Sequence, residues 1–234
     1  MKNLFILIFI AAAILYSCKS ATRDSQNDLS EESEWISLFD GKTLNGWRSF
    51  NSDTIGGWVV ENGYLTALGE GSDLSGDIVS VDEFENFELY LEWKISPGGN
   101  SGVMFRVVEG YATTYATGPE YQLLDDEGFP SPLEDWQKAG ANYAMHVARN
   151  KTLKPVGEFN TTRIIVDGPH VEHWLNGEKI LEYELWSDEW TELKENGKWK
   201  DYPDYGMAKK GHIALQDHGD NVWFRDVRIR PILK

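Results

Sequence analysis

A single cysteine, Cys18, is all that the 234 residues contain, which excludes an intramolecular disulfide and any cysteine-rich zinc site. Positive charge is scarce as well: 22 Lys and Arg stand against 38 Asp and Glu, a net charge of −16, with no dense basic cluster. Binding to nucleic acid or to an anionic membrane surface through charge is thereby excluded. The longest apolar run is the 13 residues from Leu4 to Tyr16, short of the ~20 needed to span a bilayer. There is no Gly-x-Ser-x-Gly elbow, His-Glu-x-x-His pair or phosphate-cradling loop. No repeat of fixed period is visible, which sets propellers and solenoids aside.

What is present begins with a targeting signal. Lys2, the apolar run and Leu15-Tyr16-Ser17-Cys18 resemble an export signal ending in a bacterial lipobox. This predicts a lipoprotein signal over 1–18, with Cys18 lipidated and the protein lipid-anchored in the cell envelope, periplasmic or at the outer-membrane surface. Residues 19–34 are polar, without apolar periodicity, and predict a flexible tether. Residues 35–234 are enough for one large domain with its own core.

In that domain short alternating runs recur between turn signals. Trp58 to Glu61, Asn62-Gly63 and Tyr64 to Ala67 predict a hairpin, because Asn-Gly supplies the positive φ angles a tight turn needs. Phe87 to Ile95 alternates apolar and polar residues for nine positions, as a half-buried strand does. Further strands are predicted over Ser101–Val108, Glu120–Leu124, Thr161–Val166, Val171–Leu175, Lys179–Tyr183, His212–Gln216 and Val222–Arg230, with Asn176-Gly177 marking a second hairpin. Helix signals are weak, at Leu133 to Ala139 and Trp186 to Lys194. The pattern predicts an all-β sandwich of two antiparallel sheets. Three long stretches, 109–119, 125–154 and 186–210, exceed plain connections and carry Trp, Tyr and Gly, as site-building loops do.

Candidate chemistry lies at the strand ends. Strand alternation puts Gly102, Met104 and Arg106 on one face and Glu120 and Gln122 on one face of the next strand. A guanidinium in an apolar strand needs a carboxylate or a ligand opposite it, and Glu120 is the natural candidate. Two readings stand open: a structural Arg106–Glu120 salt bridge, or a groove in which Arg106 holds ligand oxygens and Glu120 acts as base or acid. Gln216 and His218 share a face, and imidazole titrates near neutrality; a hydrogen-bonded turn at Asp217-His218-Gly219 is the plainer alternative. His170 reads as a turn residue, and three residues from His173 on a strand it makes a poor metal pair. Asn100, Ser101, Gln122, Asp125, Tyr143, His146, Glu158, Asn160, His173, Trp174 and Gln216 add amides, carboxylates, imidazoles and aromatic faces. Such groups suit a sugar, whose hydroxyls are chelated and whose C–H face is covered by a ring.

The blocks Phe39 to Trp47, Pro97 to Gly102 with Phe105-Arg106, Glu120 to Asp125, His173 to Gly177 and Ile213 to Gly219 closing on Trp223-Phe224-Arg225 together resemble the family of 3-keto-disaccharide hydrolase domains. The resemblance runs from about Ser37 to Pro231. It implies a concanavalin A-like jelly roll whose concave sheet holds the site, and a substrate that is a glycoside oxidised at C3. A C3 ketone acidifies the C2 hydrogen, so a base can form an enolate, the C1 substituent leaves by β-elimination, and water adds back. On this reading Glu120 is the base, Arg106 stabilises the oxyanion and His218 protonates the leaving oxygen, with a divalent metal as an alternative electrophile. Two rivals remain. A non-catalytic carbohydrate-binding module would need the aromatic groove and no base. An ordinary jelly-roll glycosidase would need acidic residues on one strand face; Glu88 and Glu92 share a face, but their strand reads as a solvated surface.

Overall fold

The computed structural model describes residues 33–69 and 76–233. The predicted signal with Cys18, and the tether up to residue 32, lie outside the described residues. The strands are β1 (Ile36–Ser37), β2 (Trp47–Ser49), β3 (Trp58–Glu61), β4 (Tyr64–Ala67), β5 (Ile78–Phe84), β6 (Phe87–Ile95), β7 (Asn100–Val107), β8 (Glu120–Leu124), β9 (Asn160–Asp167), β10 (His170–Leu175), β11 (Glu178–Glu184), β12 (Gly211–Leu215) and β13 (Val222–Pro231). They form a jelly-roll sandwich. One sheet runs β11-β10-β9-β6-β13-β4-β3 with β1 on β13, and the other runs β2-β5-β12-β7-β8. Neighbouring strands pair antiparallel throughout, as in β6 with β9 and β13 or β7 with β8.

The sequence explains this layout locally. Asn62 and Gly63 have φ of 53° and 79°, Asn176 and Gly177 of 49° and 90°, the doubly positive pair of a tight hairpin turn. Phe87, Leu89, Leu91, Trp93 and Ile95 point into the sandwich against Val103, Phe105, Tyr121 and Leu123 of the opposite sheet. The even positions of β6 face outward. There Glu88, only 7% exposed, lies between Arg163 and Arg230, and Glu92 pairs with Arg225 at 2.6 Å. That face is therefore a row of ion pairs, not the solvated surface that the alternation suggested.

Two departures matter. Leu133 to Ala139 gives only a single 3-10 turn, Asp135–Gln137, because Lys138 turns extended and the chain goes on to pair Gly140 N–H with the Gln122 carbonyl. The second predicted helix is present, shifted to α1 (Asp188–Asn196), with the Ser187 side chain accepting from Trp190 N–H at its start.

The other departure is a bulge in β7. His212 pairs with Val107 but Ala214 with Met104, so Phe105 and Arg106 oppose the single residue Ile213. Arg106 takes φ of 52°, and the strand's alternation reverses there. Phe105 stays in the main core, whereas Val107 joins Met104, Val79 and Ala214 on the outer side of the smaller sheet. Arg106 consequently does not share a face with Met104 or Glu120. Its guanidinium donates to the Glu85 carbonyl at 3.0 and 2.8 Å and to the Gly168 carbonyl at 3.0 Å. It thus ties the β5–β6 turn to the β9–β10 turn.

Candidate active site

On β7, Asn100, Gly102 and Met104 face outward from the smaller sheet, and the neighbouring β8 presents Glu120 opposite Met104 and Gln122 opposite Gly102. A methyl group at Gly102 would collide with the Glu120 carboxylate, so the glycine is what lets Glu120 lie across the sheet. Gln122 Nε2 donates to Asn100 Oδ1 at 2.8 Å, fixing both amides. Gln216 and His218 follow β12, whose neighbour is β7. Tyr115, Tyr143 and Lys198 close the space from three loops, giving a cavity of about 180 Å³.

An aromatic stack builds the third loop. The rings of Tyr183, Trp190, Tyr205 and Trp199 succeed one another at centroid spacings of 5.9, 5.7 and 4.1 Å, within 14° of parallel. Gly206 passes so close to the Trp190 ring that a side chain would not fit, and its φ is 70°. Trp199 donates Nε1 to the Tyr143 carbonyl at 3.1 Å. This pins the turn Lys198–Asp201 and sets Lys198 Nζ 4.2 Å from the Tyr143 ring centre and 5.7 Å from that of Tyr115.

The electrostatics follow from burial. Glu120 is 4% exposed and, among the described residues, its carboxylate accepts no hydrogen bond; desolvation pushes it up to about 8, partly offset by the nearby Lys198. Burial likewise holds the Lys198 ammonium below its ordinary value, against the pull of Glu120. The cavity therefore contains a buried base and a facing cation, each destabilised in its charged form by the same lack of water.

A second cavity of about 600 Å³ continues from the first, with Tyr115, Gln216 and His218 lining both. Its floor holds Asp77 and Asp217. Asp77 accepts from the Thr114 hydroxyl and from Asp217 N–H, yet burial raises it to about 6.

The expected site residues divide accordingly. Glu120, His218, Asn100, Gln122, Tyr143 and Gln216 come together. Arg106 does not, for the bulge described above. Ser101 points inward and donates to the Gln216 carbonyl at 2.8 Å. His173 is wholly buried between the sheets, bonded to the Gly140 carbonyl at 2.9 Å, and burial lowers it to about 3. Trp174, on the opposite face of the same strand, covers Arg163. His146 stacks on Tyr183 at 4.5 Å, and desolvation lowers it to about 4. Asp125, Glu158 and Asn160 line a different cavity; Asp125 caps Gly98 and Gly128 N–H, and Asn160 accepts from Lys154 N–H.

Lys198 and Tyr115 carry no signal in the sequence beyond the unusual length of their loops, and Asp77, just before β5, carries none. Asp217 reads in the sequence only as part of a hydrogen-bonded turn. His170 is not in a turn but begins β10, and with Glu172 and Glu182 it brings possible metal ligands within 4.8 Å of one another. Lys179 already sits 3.2 Å from Glu172 and 2.6 Å from Glu182, so an ammonium fills the cation's place. These residues lie outside the lining of the Glu120 cavity and do not fit a catalytic metal there.

Comparison with known proteins agrees with this architecture. A curated relative from Bacteroides thetaiotaomicron, named 3-keto-disaccharide hydrolase, is 34% identical over 252 aligned residues, covering 95% of this chain and 87% of its own length. A crystal structure from Parabacteroides distasonis, described as a candidate glycosyl hydrolase, superposes with a TM-score of 0.80 at 41% identity, covering 85% of this chain and 94% of that one. The laminarinase catalytic domain of Thermotoga maritima shares the fold alone, with a TM-score of 0.50 at 13% identity, covering 87% of this chain and 99% of that one. The profile of the 3-keto-alpha-glucoside-1,2-lyase-like domain matches residues 34–230, and the chain belongs to that family.

Proposed function

We propose that the protein cleaves the glycosidic bond of 3-keto-glycosides by β-elimination followed by hydration. The observation that carries this reading is Glu120: a buried carboxylate without hydrogen-bond donors among the described residues, raised to about 8, in a cavity that also holds a lysine. Once ionised, Glu120 takes the C2 proton. The electron pair moves toward the C3 oxygen, whose developing charge Lys198 stabilises from across the cavity. Lys198 takes the part that the family resemblance implied for Arg106. His218 donates a proton to the C1 oxygen as the C1–O bond breaks. Water then adds at C1 of the enone, giving its proton to His218, and Glu120 returns a proton to C2, so the net change is hydrolysis. No second carboxylate at a glycosidase separation is required.

Glu120→Gln keeps the shape and removes the base. It is expected to lower the rate on a 3-keto-glucoside by about 10²-fold to 10⁴-fold while substrate binding changes little. Substrate deuterated at C2 is expected to be cleaved more slowly than the unlabelled substrate. Equal rates for the two substrates would reject rate-limiting cleavage of the C2–H bond, and an undiminished Glu120→Gln rate would reject the base.

A further inference from the structure

The two adjoining cavities divide the substrate between them. If the reaction is the one proposed above, the ring bearing the ketone must put C2–H at Glu120, which lines only the smaller cavity. His218, cast as the donor to the leaving oxygen, lines both cavities, so the C1–O bond lies at their junction. The departing group then enters the larger cavity. Its walls include Phe50, Thr114 and Tyr115, and its floor holds Asp217. Asp217 is 7% exposed; its Oδ1 accepts from Gly219 N–H at 2.8 Å, but its Oδ2 is buried and, among the described residues, has no partner. Gln216 Oε1, at the junction, is likewise buried and unpartnered at 8% exposure. Two desolvated acceptors without donors are costly unless a ligand supplies them. Adjacent hydroxyls supply donors, and the Phe50 and Tyr115 rings can cover a sugar's C–H face.

We infer that the cavity floored by Asp217 is the leaving-group subsite, and that it takes a hydroxyl-rich sugar through hydrogen bonds to Asp217 Oδ2 and Gln216 Oε1. A simple alkyl leaving group would leave both acceptors unpaired, and a site built for hydroxyls discriminates against groups that lack them.

Asp217→Asn tests this, because asparagine retains Oδ1 for Gly219 N–H and turns the other position into a donor. Wild-type kcat/KM is expected to be at least about tenfold higher for a 3-keto-glucosyl-glucose than for methyl 3-keto-glucoside. Asp217→Asn should remove about tenfold of that preference, read as the ratio of the two kcat/KM values. Phe50→Ala, in the wall of the same cavity, should reduce the same preference and serves if the first variant melts early. Equal losses on both substrates, or no preference in the wild type, would overturn the assignment. Should neither substrate be turned over, the reaction proposed above fails, and the subsite is judged by glucose binding in saturation-transfer NMR. Binding weakened by Asp217→Asn sustains it; unchanged or absent binding overturns it.

Discussion

At the residue scale, the chemistry rests on how a carboxylate is kept out of water. Glu120 has an ordinary value of 4.5 and is pushed up to about 8 by burial. The folded protein thus holds this proton more tightly than the unfolded chain. The stabilisation is complete below about pH 4.5 and is lost as pH rises through about 8. Asp77, raised to about 6, acts in the same direction over a lower window. Activity runs the opposite way, since a base must be ionised. Because His218 must also stay protonated, the expected outcome is a bell-shaped kcat/KM, while the wild-type melting temperature falls between about pH 7 and 9. Glu120→Gln should flatten that fall, since Asp77 is already ionised there. If the variant and the wild type have parallel melting curves against pH, Glu120 is not buried as described. The comparison belongs above pH 6.5, because His146 and His173, lowered to about 4 and about 3, lose their stabilising effect as the medium is acidified below 6.5 and act there in the opposite direction.

At the scale of elements, the β7 bulge separates a structural cation from the catalytic one. Arg106 is 2% exposed and joins two turns of the larger sheet by its donors to Glu85 and Gly168. Arg106→Met is expected to lower stability by about 2–4 kcal/mol, because buried carbonyls lose charged donors. The kcat per folded molecule should not change below the melting range; a variant that folds fully but loses turnover would return Arg106 to the chemistry. The sequence could not have separated these cases. Alternation over Phe87–Ile95 and the Asn-Gly pairs were legible because they are local: β6, β8 and the first hairpin appear with the boundaries expected, and the second hairpin within one residue of them. A bulge is written in pairing with another strand, and nothing between Asn100 and Val108 announces the reversal at Arg106. Glu120, Gln122, Gln216 and His218 could be foreseen as strand-borne polar groups. Lys198 could not, since its place depends on an aromatic stack assembled from residues as far apart as Tyr183 and Tyr205.

At the scale of the whole molecule, charge decides how the protein could be held at a membrane. The net charge of −16 makes electrostatic adhesion to an anionic leaflet unfavourable. The stretch 19–34 supplies no basic patch either, with Lys19 and Arg23 outweighed by Asp24, Asp28, Glu31, Glu32 and Glu34. Among the described residues no helix is long and apolar enough to cross a membrane. Retention, which we propose, therefore falls to acyl chains on Cys18, and because one chain binds only marginally, stable anchoring needs more than one. Salt screens charge contacts and leaves acyl insertion untouched. The wild-type protein is expected to stay with the membrane fraction through a high-salt wash, whereas Cys18→Ser should be recovered in the soluble fraction with kcat/KM unaltered, because the cysteine precedes the family domain at residues 34–230 in the sequence. Release of the wild type by salt, or retention of Cys18→Ser, would show that something other than the lipid holds it.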